Sequence, residues 1–315
     1  MLTLTLRRLL ALLPILAGLT VLVFLMMALI PGDPATAILG AYATPENVAR
    51  LNRELGLDRP LVTQYLVWLG NLADGDLGRS VSLERPVAAE VFGRLGPTAL
   101  LAGTALLLAS ILGMVLGAWA AVRQFGWADR LVTLAVQVGL SMPAFWLGLL
   151  LVALFAVTLR WLPASGMLAV YGGGGLLDLA AHLALPAVTL AVVATGVIAR
   201  LTRTAMLEVL RQDYIRTARA KGVAEGRIVR RHAFRAAIVT VIPVVATQAG
   251  FVLGGAVYVE TVFQWPGLGR MLVEAIAARD ILLVQGGVLV LATAFVAVNL
   301  LADLVQAALD PRIAR

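Results

Sequence analysis

Side chains that attack, ligate or transfer protons are scarce in this chain. Among 315 residues there are two histidines, His182 and His232, one lysine, Lys221, and no cysteine. Without cysteine there is neither disulfide nor thiolate chemistry, and the redox compartment stays open. Neither histidine sits in a His-Glu-x-x-His run, and no Gly-x-Ser-x-Gly elbow is present, so zinc hydrolysis and serine acyl transfer lack their residues. A Walker phosphate loop needs a lysine followed by Ser or Thr. Lys221 is followed by Gly222. The chain therefore has no Walker-type ATP site, and any ATP hydrolysis belongs to a partner. No catalytic residue, metal site or resident cofactor is expected.

A second group of residues is notable for where it falls. Asn299 and Asp303 stand four apart in a long apolar run, on one helical face. A carboxylate inside a membrane segment is a functional candidate by default, and a helix contact or end-of-helix position is the plainer expectation for Asp303. Glu260 and Arg270 lie in or beside a late loop, where they could line an entrance to a pathway and where a solvated rim is the plainer expectation. Pro143 interrupts another apolar run at Ser141-Met142-Pro143, where the missing N–H should kink a helix. Such a kink either lines a path or is merely tolerated.

The third group is a basic island. From Asp213 to Pro243 the chain carries Arg216, Arg219, Lys221, Arg227, Arg230, Arg231 and Arg235 against Asp213 and Glu225. That composition must face water. Asp213 is placed to cap a helix, Tyr214 to Lys221 make about two turns, and Gly222 falls at the C′ position with φ > 0. Tyr214, Ala218 and Gly222 recur every fourth residue and would form a small, aromatic-edged docking face. A second helix starts near Glu225 and re-enters apolar sequence near Ala236.

These residues must be positioned by membrane helices. Hydrophobic residues make up 61% of the chain and charged ones 14%, against about a quarter charged in soluble domains. Six runs are long enough to span: Leu9–Ile30, Leu100–Val122, Leu131–Leu159, His182–Ile198, Ala237–Val259 and Leu282–Val305. The first is too long for a signal-peptide core, so a retained helix is expected despite the cleavage-like Ala35-Thr36-Ala37. Residues 31–97 form a polar region with turns at Pro31-Gly32-Asp33-Pro34 and Asp74 to Gly78. Helices are expected there from Thr44-Pro45-Glu46-Asn47 to Leu55 and over Leu61–Leu69. Gly113/Gly117 and Gly250/Gly254 are small-xxx-small pairs suited to close helix approach. Trp161 suits an interfacial belt, and Gly172 to Gly175 a connector.

Six spans put both termini on one side. Residues 1–8, 123–130, 200–235 and 306–315 hold 16 of the 25 basic residues, and the opposite loops hold 9. With the long 31–97 segment set aside the contrast is 16 to 3. The richer side, with the basic island, is expected to be cytoplasmic. His182 and His232 then lie on opposite sides and cannot share a metal. The net charge of +7 follows from this distribution and is no evidence for nucleic acid.

YIRTARAKG followed by RRHAFRAA resembles the cytoplasmic EAA loop of ABC-importer permeases of the dipeptide/oligopeptide/nickel class. The general motif is Glu-Ala-Ala, three residues, then Gly. Here Arg216-Thr217-Ala218 and Gly222 hold those places, and the Glu is missing. PGDP, LGLDRPLVTQYLVWL, GDLGRS, RLGPTALLAG, Met206-Leu207-Glu208-Val209-Leu210, Pro266-Gly267-Leu268-Gly269, Arg279-Asp280 and Asp310-Pro311-Arg312 extend the resemblance over nearly the whole chain. It implies an all-α type I importer permease with six transmembrane helices: a first helix within 1–30, an extracytoplasmic region 31–97, a permease core 98–309 with a coupling loop 203–236, and a tail 310–315. It implies the first of two related permease subunits, two ATPase subunits holding ATP and magnesium, an extracytoplasmic solute-binding protein, and a bacterial or archaeal cytoplasmic membrane. Asp213, Tyr214, Arg216, Thr217, Ala218, Arg219, Lys221 and Gly222 would be the ATPase-coupling residues. Peptides are the commonest cargo of the class, with nickel, glutathione or sugars open. An ion-driven transporter would need paired intramembrane ionisable groups and often an inverted repeat; one candidate carboxylate and no clear repeat are found. A purely structural scaffold leaves the ordered motifs unexplained.

Overall fold

The computed structural model describes residues 2–29, 34–54, 56–169 and 174–309. The Pro31-Gly32-Asp33 turn, Gly172 and Gly173, the side chain of Asp303 and the Asp310-Pro311-Arg312 tail lie outside the described residues. Among those described, the regular structure is helical apart from one isolated antiparallel bridge, Arg79 to Pro86. The helices are α1 (Leu2–Ala28), α2 (Pro34–Leu39), α3 (Pro45–Glu54), α4 (Leu61–Ala73), α5 (Val87–Val122), α6 (Trp127–Ser141), α7 (Ala144–Leu151), α8 (Leu176–Leu210), α9 (Asp213–Ala220), α10 (Glu225–Arg227), α11 (Phe234–Val262), α12 (Leu268–Ala277) and α13 (Ile281–Leu309). A π-helical stretch, Val152–Thr158, prolongs α7, and another, Ile228–Ala233, joins α10 to α11. Four helical runs are long and apolar enough to cross a membrane: Val87–Val122, Leu176–Leu210, Glu225–Val262 and Ile281–Ala302. α6 and α7 with its π extension make a fifth if counted as one broken span. α1 occupies the place of the first expected span.

The chain divides into two units. The first comprises Met1–Gly96 and Gly267–Val296. Its core gathers Leu77, Val87 and Val91 with Leu268, Met271, Leu272 and Ala275 of α12, and Leu283, Val284 and Leu289 of α13. The predicted turn at Asp74 to Gly78 is present: Gly75 and Gly78 have φ of 80° and 82°, and the Gly78 N–H donates to Asp76 Oδ1 at 2.8 Å. Thr44 caps α3 through the Asn47 N–H, with Pro45 in the first helical position.

A buried carboxylate holds this unit's loops. Asp280, between α12 and α13, accepts at Oδ2 from the Ser80 hydroxyl (2.5 Å), the Ser82 N–H (2.9 Å) and the Ser82 hydroxyl (2.7 Å); its Oδ1 accepts from the Leu283 N–H (3.1 Å). Burial pushes its pKa up, but the hydrogen bonds from Ser80, Ser82 and Leu283 outweigh that and hold it below the usual carboxylate value. A folded-state pKa below the unfolded value stabilises above the unfolded value, about 3.9, and that stabilisation is lost as pH falls through the lower, folded value. Thermal midpoints of wild type and Asp280→Asn should therefore differ by a constant amount from neutral pH down to about pH 4, and converge below it. A gap that does not narrow in acid would show that the Asp280 charge does not hold the loop.

The second unit comprises Pro97–Pro266 and Ala297–Arg315. Its centre is α8, packed against α11, α6 and α7. The Gly113/Gly117 pair does what the spacing predicts. A Cβ on Gly113 would lie 2.7 Å from the Ile198 side chain; one on Gly117 would lie 2.7 Å from Thr202 Cβ and closer still to the Ala199 carbonyl oxygen. The Gly250/Gly254 expectation holds only in part: Gly250 is buried, but Gly254 is not packed. A Cβ at Gly254 would meet nothing within 4 Å, whereas one at Gly255 would lie 3.1 Å from Leu190. The helix turns its next glycine, not Gly254, to α8.

Three expected spans differ in shape. α5 begins at Val87, so the Arg94-to-Pro97 part of RLGPTALLAG belongs to the helix. α8 extends to Leu210, so Arg200 and Arg203 stand on a helix and not in a loop. The third span is not kinked but broken: α6 and α7 meet at 107°. Met142 is extended (φ −86°, ψ 128°), as a residue before proline prefers, and this ends α6 outright. The expected loop from Glu260 to Ile281 is also largely helical, since α11 continues to Val262 and α12 fills Leu268–Ala277.

Candidate functional site

α9 is the short helix predicted in the basic island. Its first helical residue is Asp213; the N-cap is Gln212, which makes no side-chain cap bond. The expected Asp213 cap is thus displaced by one residue, because Gln212 already has extended backbone (ψ 150°) and its carbonyl accepts the Arg216 N–H (3.3 Å). Asp213 still puts a carboxylate in the first turn, where the helix dipole favours it. At the other end Gly222 has φ 76°; its N–H donates to the Arg219 carbonyl (2.9 Å) and the Val223 N–H to that of Ala218 (3.1 Å). That pair of bonds is a Schellman ending.

One residue decides which way α9 faces. Ile215 is fully buried, and Ala218, three residues on, is half-buried beside it. Of the expected Tyr214-Ala218-Gly222 face, Tyr214 and Gly222 are exposed and Ala218 is half-buried beside Ile215. An apolar side chain in a basic helix turns inward, and the opposite side presents Asp213, Arg216, Thr217 and Ala220, with Tyr214 and Lys221 on its flank, all exposed. Arg216 reaches Asp213 at 3.4 Å, and the Thr217 hydroxyl donates to the Asp213 carbonyl at 3.1 Å. Arg219 instead forks onto Glu225, Nε to Oε2 at 3.1 Å and Nη2 to Oε1 at 2.6 Å, tying the end of α9 to the start of α10. Both side chains are exposed, so the pair contributes at most about 1 kcal/mol; its geometric effect is to fix the α9–α10 corner. Ile228 and Ala233, both fully buried, complete the seat.

A buried ion pair that the sequence reading missed braces the same unit. Asp129 of α6 accepts from Arg203 of α8 at 2.6 and 2.8 Å, and Asp129 Oδ2 also accepts the Phe125 N–H at 3.0 Å. Asp129 is the only acidic residue in the 123–130 turn, facing a run with many arginines, and that asymmetry was the available signal.

Glu260 is 0% exposed, not the solvated rim expected. Thr98 of α5 donates to its Oε1 at 2.6 Å, and nearby the Trp265 indole N–H donates to the Pro97 carbonyl at 2.9 Å. Because α11 continues past Glu260, the carboxylate is held between helices. Arg270 pairs with Glu274 on α12 at 2.7 Å. Pro143 sits at the α6–α7 break, and Asn299 and Asp303 stand on α13. His182 is buried near the start of α8, with Nδ1 2.9 Å from the Asp178 carbonyl, and His232 lies in the π-helical stretch after α9. Some 28 helical residues of α8, about 42 Å, follow His182 before the turn into α9, so the two histidines occupy separate regions. Among the described residues no cluster of three metal-ligating side chains occurs.

Residues 113–315 match the family model described as "Binding-protein-dependent transport system inner membrane component", and residues 1–95 match its N-terminal companion. The chain is 42% identical to the dipeptide transport system permease protein DppB of Alkalihalophilus pseudofirmus, and 43% identical to the glutathione transport system permease protein GsiC of Salmonella paratyphi A. In each case 99% of both chains is covered. An inward-facing structure of the MetNI methionine ABC transporter superposes with a TM-score of 0.58 at 18% identity, over 70% of this chain and 96% of that one, a likeness of fold.

Proposed function

Because the chain belongs to the family of binding-protein-dependent transport system inner membrane components, we propose that it forms half of the translocation pathway of an importer for di- or oligopeptides. It is a multi-pass permease subunit with the type I ABC importer fold, a fold that works with ATPase and solute-binding partners. In the proposed assembly a second homologous permease completes the pathway, two ATPases bind from the cytoplasm and a binding protein delivers cargo outside. The membrane is the cytoplasmic one, with both termini inside. The peptide cargo is supported by relatives named for dipeptide and glutathione transport.

The build of α9 carries the mechanistic reading. It is a two-turn helix, closed by a Schellman turn, anchored by Ile215 and joined to α10 by Arg219–Glu225. Its polar outer side is the surface offered to an ATPase. ATPase closure would displace α9 as a rigid element, and the helices attached at both its ends would follow, switching the pathway between inward-open and outward-open. ATP and magnesium stay in the partner.

The test is transport and ATPase activity of the reconstituted complex. Ala220→Glu places bulk and charge on the outer side of α9. Gly222→Val forces a β-branched residue to φ 76°, at a cost of about 1–2 kcal/mol or more. Both should insert normally and lower peptide-stimulated hydrolysis and uptake several-fold, while Arg227→Gln, beyond α9, stays near wild type. Wild-type behaviour of both variants in both assays would reduce the segment to a basic loop.

A further inference from the structure

Two neighbouring helices in the first unit solve their solvent problem in opposite ways. α3 carries Glu46, Arg50, Arg53 and Glu54, with Arg50 and Glu54 paired at 3.8 Å on an exposed face. It is built for water. α4, LVTQYLVWLGNLA, has thirteen residues and no charge. Its inner side, Tyr65, Trp68 and Leu72, is partly covered, yet Val62, Leu66 and Val67 on the other side are more exposed than covered or nearly so, and the remaining exposed residues of the helix, Leu61, Thr63, Gly70, Asn71 and Ala73, carry no charge. A helix facing water on that side would carry charge there. An apolar run of 10–14 residues is the length of an interfacial or re-entrant segment, too short to span.

The contacts of α4 say which medium covers it. Tyr65 shares a hydrogen bond with the Thr20 hydroxyl at 2.9 Å, and Phe24 packs edge-on to Tyr65 (centroids 5.4 Å) and against Trp68 (6.0 Å). Thr20 and Phe24 lie about 12 and 6 Å before the end of α1 at Ala28. The α1 side chains at that level, Val21, Leu22, Leu25 and Met26, are themselves exposed. α4 is therefore pinned at a level where its neighbour presents only apolar side chains outward. Its Gln64 is satisfied by the preceding turn, Nε2 donating to the carbonyls of Leu57 (2.9 Å) and Arg59 (2.8 Å). Tyr65 and Trp68 are the side chains favoured at a bilayer interface.

We propose that α4 lies in the membrane interface with its Val62-Leu66-Val67 side against phospholipid acyl chains, in the leaflet at the C-terminal end of α1. In the topology proposed above this is the outer leaflet. The region between the first two spans is then not a wholly aqueous domain: α3 faces water, and α4 seats the region in lipid. The inference needs only that α1 is a membrane helix, so it survives if the cargo or the coupling role is reassigned.

The absence of cysteine makes the test direct. Single cysteines at Val62, Leu66 and Val67, with Glu46 and Asp74 as water-facing references, are spin-labelled in the reconstituted transporter and in the chain alone in phospholipid nanodiscs. At the three α4 positions, collision with oxygen should be high and with a water-soluble nickel chelate low, the ratio shifted several-fold from that at Glu46 and Asp74. Nickel access equal to the references would place the face in water and overturn the proposal. Shielding from both reagents would mean a protein surface covers it, and would also overturn it. Three independent positions keep one misfolded variant from deciding the result.

Discussion

Arg203→Ala is expected to destabilise the folded chain by about 3 kcal/mol, the low end of the range for stripping one partner from a buried ion pair, because this pair is only partly buried. Arg203 is the only basic partner of the Asp129 carboxylate among the hydrogen bonds described; once it is gone, a side chain 6% exposed keeps its charge beside α8 with the Phe125 N–H and the Thr133 hydroxyl as remaining support. Asp129→Ala should cost less, because the Arg203 side chain is 29% exposed and its guanidinium can turn to water. The double variant should be milder than Arg203→Ala, since neither charge is then stranded. Thermal midpoints of the four proteins in one detergent form a double-mutant cycle. Additive losses would show that the two side chains do not interact, and would remove the α6–α8 brace from the account of this fold.

Gly117→Val should be nearly as damaging. Ordinary overpacking costs about 1–3 kcal/mol because side chains rotate aside. Here the obstruction includes the Ala199 carbonyl oxygen, which cannot rotate away without disturbing α8. α5 and α8 must separate along their length, and the expected result is the upper end of that range or beyond, seen as loss of monodisperse protein. Gly254→Val is the matched control, since a Cβ there meets nothing within 4 Å. Equal tolerance of both in the purified chain would mean that the backbones do not approach as described.

What could be read from the sequence was what depends on local spacing. Gly222 was legible because only one residue type ends a helix cheaply at φ > 0, and Gly113/Gly117 because two small residues four apart mark a flat helix face. Pro143 was legible as a disturbance but not as a 107° break, since the angle depends on what packs on either side. The rotation of α9 was not legible from the periodicity of Tyr214, Ala218 and Gly222, because it is set by burial of the single apolar Ile215. Glu260 with Thr98, separated by 162 positions, and Asp129 with Arg203, separated by 74, were invisible for one reason. Each needs two helices docked in a particular register, and no local pattern encodes that. Asp280 with Ser80 and Ser82 is the same case in a loop.

The run from Glu225 to Val262 has a mechanical consequence. At 1.5 Å per residue this 38-residue helix is a strut of about 57 Å. Both ends are pinned: Glu225 to α9 through Arg219, and Glu260 to α5 through Thr98. Between the pins lie two weak joints, the π-helical turn at Ile228–Ala233 and Pro243, the two interruptions at which helices bend most readily. A member fixed at both ends and jointed in between cannot slide along its axis. It would answer a load on one end by flexing at the joints, so in the proposed coupling a push delivered through α9 would be converted into a change of angle at residues 228–233 and 243, tens of ångströms short of the Thr98–Glu260 pin.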